Sequence, residues 1–144
     1  LIQPLALRAP EVVLGAPWDT GVDIWSLGCL VVEFVHGYVM FRNEPEEADT
    51  WTPEDDHLAK IVEIIGPIPS SLLKQGRRTA EFFDEQGPTS LERLLNGDRM
   101  PCIKPSDMSD DEVVVFIDFV RSMLQIDPVK RKSAAQLLQH EWLS

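Results

Sequence analysis

With 144 residues, 16.3 kDa, 44% hydrophobic and 26% charged side chains, the chain has the size and composition of one globular domain. Thirteen Lys and Arg against 24 Asp and Glu leave a net charge of -11, which argues against a nucleic-acid partner and favours a basic one. Cys29 and Cys102 are the only cysteines and neither belongs to a C-x-x-C or Cys/His cluster, so no disulfide scaffold or zinc site is indicated and a reduced intracellular compartment is expected.

No basic segment precedes a long apolar run at the N-terminus, and the longest apolar stretch, Ile24 to Val32, is too short to span a bilayer. A soluble chain without a membrane partner is expected. The first helical pattern follows Asp19-Thr20 and runs to about His36, with Gly37 as its stop. Ile24, Leu27, Val31 and Val35 form one stripe, and Trp25, Cys29, Val32 and His36 form a second beside it. So wide an apolar circumference predicts a central, buried helix.

A second helix is predicted from Thr52-Pro53-Glu54-Asp55, where a hydroxyl N-cap, a Pro at the first position and early acids coincide. Leu58, Ile61, Val62 and Ile65 supply its apolar face, and Gly66-Pro67 stops it. Residues 66–105 hold nine of the nineteen Gly and Pro residues and read as a loop-rich connector, with short helical pieces around Leu72 and Phe82-Phe83. The capping-box pattern Ser109-x-x-Glu112 opens a third helix, whose buried face is expected from Val113, Phe116, Ile117, Val120 and Leu124. A short fourth begins at Ser133-x-x-Gln136 and is expected to bury Leu137 and Leu138. The fold reads as mainly α.

Neither G-x-x-x-x-G-K-[ST] nor G-x-G-x-x-G is present, and H-E-x-x-H and G-x-S-x-G are also missing. His36, His57 and His140 lack ligand spacing and read as core or surface histidines. No pair of carboxylates is marked as catalytic. Catalytic, cofactor-binding and metal residues are therefore assigned to none.

Arg8-Ala9-Pro10-Glu11 is followed, twelve residues after its glutamate, by Asp23-Ile24-Trp25-Ser26-Leu27-Gly28-Cys29. Asp127-Pro128-x-x-Arg131 and His140-Glu141-Trp142-Leu143 stand near the end. This ordered set resembles the C-terminal half of a eukaryotic protein kinase domain, from the end of the activation segment to the last helix. The resemblance covers nearly the whole chain and implies a partial large lobe without the N-terminal β lobe. It also implies a structural ion pair between Glu11 and Arg131, and a role for Asp23, next to Trp25, in holding the backbone of a catalytic loop that lies upstream. Read from the residues alone, Asp23 is an acid in the first turn of a helix, favoured by the helix dipole.

Arginine at the head of the Arg8 motif is similar to the group containing cyclin-dependent, mitogen-activated and SR-protein kinases, and Leu14-Gly15-Ala16-Pro17-Trp18-Asp19, Glu54 to Gly66 and Glu81-Phe82-Phe83-Asp84-Glu85-Gln86-Gly87 look most like the SR-protein kinase branch. Those enzymes phosphorylate serines in Arg/Ser-rich proteins, and the resemblance implies substrate docking through Asp56 and Glu63, seven apart on one helix face. Tyr38 stands where a third docking acid is usual, and Leu7 where an aromatic residue is usual. Residues 44–63 carry eight acids and one base, Lys60, and so contribute -7 of the -11.

The Gly-rich loop, the ATP-pairing lysine, H-R-D and D-F-G are not in these 144 residues, so ATP and Mg²⁺ belong to a full-length parent and this chain alone is expected to be inactive. The expected partners are an Arg/Ser-rich protein and the N-terminal part of the kinase domain, in cytosol or nucleus. The alternative is a non-catalytic module or kinase remnant that binds basic partners. Either way, the two stripes on residues 24–36 are expected to leave an exposed apolar patch.

Overall fold

A computed structural model describes residues 1–42, 52–83 and 107–144. Its helices are α1 (Pro10–Val13), α2 (Gly21–His36), α3 (Pro53–Ile64), α4 (Ser70–Gln75), α5 (Thr79–Phe82), α6 (Asp110–Met123) and α7 (Ala134–Leu137). Short 3-10 turns occupy Leu5–Leu7 and Glu141–Leu143, and no strand occurs among the described residues. The acidic run 44–49, Cys102 and most of the Gly/Pro-rich connector lie outside the described residues.

The helix ends follow from local chemistry. Thr52 and Asp55 form a reciprocal capping box at α3, as do Ser109 and Glu112 at α6 and Ser133 and Gln136 at α7. At α6 the Ser109 backbone N–H and hydroxyl hold the Glu112 carboxyl below its ordinary pKa. The start of α2 differs. Thr20 makes no side-chain cap there, and the Gly21 N–H donates instead to Asp19 Oδ1 at 2.9 Å. Gly37 closes α2 at φ 75°, a left-handed conformation that glycine adopts without a Cβ penalty.

One face of α2 enters the core through Val22, Trp25, Cys29 and Val32. Burial pushes the Cys29 thiol up to about 12, so it behaves as a small apolar group. Gly28 lets α6 come close, because a Cβ there would stand 2.9 Å from both Met123 and Leu124. The opposite face is not core. Leu27 and Phe34 are exposed, Phe34 to 79%, so α2 is central to the packing but buried on one side only.

The main core joins Trp25, Phe41, Leu58, Ile61, Phe116 and Leu124, drawn from α2, α3, α6 and the segment after α2. A smaller cluster of Phe119, Met123 and Leu137 lies between α6 and α7. That second cluster corrects two expectations. On α6, Phe119 is buried and Ile117 is exposed, because the helix also packs against α7 and Trp142. On α7 only Leu137 is buried, while Leu138 is 71% exposed. No helix among the described residues is long and apolar enough to cross a membrane.

Candidate functional site

Glu11, on α1, and Arg131, in the loop before α7, meet in the interior. Arg131 Nη1 donates to Glu11 Oε1 at 2.7 Å and Nη2 donates to Oε2 at 3.1 Å. The remaining guanidinium N–H groups donate to the carbonyls of Gly21 (2.9 Å) and Gln125 (3.0 and 2.9 Å). All five donors of the fork are used, so one cation ties α1 to the start of α2 and to the segment after α6. The guanidinium carbon also lies 5.3 Å from the centre of the Trp25 ring.

Trp25 is fully buried and stacks on Phe41 at 5.8 Å and 10°. Its Nε1–H finds no acceptor among the described residues. Asp23 is exposed in the first turn of α2, and its carboxylate has no partner among the described residues. Residues 23, 27 and 34 share one helix face, so this carboxylate heads the exposed strip of Leu27 and Phe34.

Sequence reasoning gave no role to Gln3, which organises the segment before α1. It sits at φ 67°, outside the usual range for a residue with a Cβ. Its Nε2 donates to the Val22 carbonyl (2.8 Å) and Ser26 Oγ (2.6 Å), and its Oε1 accepts from the Ala9 N–H (3.1 Å). Ser26 Oγ in turn donates to the Leu7 carbonyl at 2.7 Å. Arg8 donates to the carbonyls of Ile2 and Gln3, so residues 2–9 are folded onto α2 by polar groups. A positive φ has no sequence signature at a glutamine.

Arg8 also reaches Glu54 at 3.4 Å, and Glu54 is shared with Arg78 at 2.5 Å. Hydrogen bonds to Glu54 and Glu81 keep the Arg78 guanidinium protonated more firmly than usual. His57 of α3 is wholly buried, its Nε2 bonded to the Arg8 carbonyl at 2.8 Å and its Nδ1 without a partner among the described residues. Burial lowers its pKa from 6.5 to about 4, so the ring is neutral and Nε2 carries the proton.

The two docking candidates have different surroundings. Asp56 Oδ2 lies 2.9 Å from Lys60 Nζ, one turn along α3, as an ion pair without hydrogen-bond alignment. Lys60 also donates to the Arg42 carbonyl. Glu63 lines an open cleft of about 520 Å³ together with Tyr38, Arg42 and Lys60. Glu63 and Tyr38 thus share one cleft, whereas Asp56 is held by Lys60 and does not line it.

Residues 5–143 match the family model for the protein kinase domain. The chain belongs to that family. It is 41% identical over 149 residues to the serine/threonine-protein kinase SKY1 of Saccharomyces cerevisiae, a match that covers 99% of this chain and 19% of that protein. The serine/threonine-protein kinase SRPK of Physarum polycephalum is 32% identical over 99% of this chain and 34% of its own length. SRSF protein kinase 3 of Mus musculus is 34% identical over 99% of this chain and 25% of its own length. The chain thus spans about a fifth to a third of the length of these three relatives.

As a protein kinase domain, in part, the chain has the helical architecture of the large lobe. Its relatives include kinases of the SR-protein branch along the whole chain. No group of three or more His, Cys, Asp or Glu among the described residues is placed to hold a metal ion, and the 144 residues contain no Gly-rich phosphate loop.

Proposed function

We propose that this chain is the scaffold and substrate-docking part of a serine/threonine kinase that acts on Arg/Ser-rich proteins. The observation that carries the reading is the Glu63 carboxylate on an open cleft along α3 that Tyr38 also lines, where the two cations, Arg42 and Lys60, already have partners of their own. Asp56 adds charge from the same helix face, reduced by its pairing with Lys60. The name of the relative SRSF protein kinase 3 supports the substrate class, and those of SKY1 and SRPK support a serine/threonine kinase.

In the same reading, Asp23, Leu27 and Phe34 form the surface against which the N-terminal part of the kinase domain packs, with the Asp23 carboxylate accepting from its backbone. The Glu11–Arg131 pair fixes α1 and α2 relative to the segment before α7, and so holds residues 2–9 beside the docking helix. Phosphate transfer belongs to the whole kinase, in cytosol or nucleus, and this chain alone does not perform it.

Binding of a fluorescent Arg/Ser octapeptide at low salt, followed by anisotropy, tests the docking assignment. Glu63→Ala is expected to weaken binding more than Asp56→Ala, since Asp56 is already neutralised by Lys60. Unchanged binding in the double variant overturns it.

A further inference from the structure

Helices α2, α3 and α6 flank a partly open pocket of about 290 Å³ that lies apart from the Glu11–Arg131 pair and adjoins the docking cleft, with which it shares Met40 and Ile64. Val32, Met40, Ile64, Met108, Phe116 and Leu124 supply most of its wall. Protein interiors are close-packed and hold few voids larger than a water molecule. Water finds few partners here, because it needs two to four polar groups and the described lining is apolar apart from His36 and Arg121. Dry apolar cavities of about 150 Å³ take up benzene-sized guests, and this one is roughly twice as large. Two methionine side chains give it an adaptable wall.

One cation stands at its rim. Arg121, in the last turn of α6, lines the cavity yet is exposed, and its guanidinium has no partner among the described residues. Exposed Ile117 lies one turn before it and continues the apolar wall to the surface. A planar guanidinium at the mouth of an apolar cavity matches a carboxylate carried on an aliphatic tail. The net charge of -11 opposes an anion, but only charges within a Debye length of about 8–10 Å act on it at ordinary salt.

We propose that this cavity binds a medium-chain aliphatic carboxylate, with the tail against Phe116 and the two methionines and the carboxylate on Arg121. At about 30 Å³ for each water-sized group, the space admits a tail of roughly ten carbons.

Titration calorimetry of the 144-residue chain with decanoate, octanoate and decanol tests the assignment. Decanoate is expected to bind saturably below about 1 mM, and octanoate about ten-fold more weakly for the loss of two buried methylenes. Arg121→Gln, at an exposed position, is expected to weaken decanoate about five-fold and leave decanol unchanged. Val113→Trp, which fills the cavity from the first turns of α6, is expected to weaken both ligands, and its thermal unfolding shows whether the fold is kept.

Leu27→Lys with Phe34→Lys on the far face of α2 controls for adsorption, and decanoate binding should survive it. The proposal is overturned by absence of saturable decanoate binding, by decanoate affinity untouched by Arg121→Gln, or by binding lost in the Leu27/Phe34 variant.

Discussion

Glu11 and Arg131 lie 120 residues apart in the chain and form a bidentate pair at 2.7 and 3.1 Å, with only 1% of either side chain exposed. Such a pair is weak evidence for net stability, because both ions lose their hydration on burial. Removing one partner is a different matter. Glu11→Leu or Arg131→Met leaves an uncompensated charge and is expected to cost about 3–5 kcal/mol. Glu11→Leu combined with Arg131→Met is expected to cost less than either single change. Urea unfolding of all four proteins checks this, and strict additivity would mean that the pair is not coupled.

Gln3 combines a strained backbone with three side-chain hydrogen bonds. Gln3→Ala keeps the strain and removes the bonds, for an expected loss of about 2–3 kcal/mol at about 1 kcal/mol per bond. Gln3→Gly removes both and is expected to be milder by about 1 kcal/mol. Hydrogen exchange is expected to quicken at residues 5–9 and remain unchanged in α6. Equal exchange at both places would show that Gln3 acts on the whole fold rather than on this segment.

What was legible in the sequence is what local chemistry controls. Ser109 and Glu112, or Ser133 and Gln136, are three residues apart and decide a helix start between themselves. Which face a helix buries depends on neighbours far away in the chain. Ile117 and Phe119 are both apolar, and only packing against Leu137 and Trp142 selects Phe119. The site divides in the same way. The family resemblance named Glu11, Arg131, Asp23, Asp56 and Glu63, but the pairing of Asp56 with Lys60 and the hub at Gln3 depend on side-chain and backbone conformation.

His57 makes stability depend on pH. Its pKa is about 4 in the fold against an ordinary 6.5, with burial as the main cause and Arg8, Asp56 and Lys60 as the nearby charges. Between those values the unfolded chain binds the proton and the folded chain does not. The contribution is therefore fully present above pH 6.5 and is lost as pH falls toward 4, an effect of about 3 kcal/mol. His57→Gln keeps a donor for the Arg8 carbonyl without titrating. Its unfolding midpoint is expected to fall less than the parent's between pH 7 and pH 4.5, and parallel curves would refute the assignment.

The exposed strip on α2 predicts association. Leu27 and Phe34 are 45% and 79% exposed on one face of a helix that is otherwise packed. Replacing both with lysine is expected to reduce binding of a hydrophobic dye and concentration-dependent sedimentation, with stability changed by no more than about 0.5 kcal/mol. A parent chain that is monomeric and dye-free would show that this strip needs no cover.

Gly28 sets how closely α2 and α6 approach. Alanine favours a helix interior over glycine by about 1 kcal/mol, so propensity alone predicts that Gly28→Ala stabilises. Packing opposes this. The new Cβ would stand 2.9 Å from Met123 Cβ and Leu124 Cδ2, closer than carbon atoms approach in folded proteins. Leu124 Cδ2 can rotate aside, but Met123 Cβ is fixed to the backbone of α6, so the helix itself must move. Overpacking of this kind costs about 1–3 kcal/mol and outweighs the propensity gain. Gly28→Ala is therefore expected to lower the urea midpoint, whereas a variant as stable as the parent would mean that α6 shifts outward without loss.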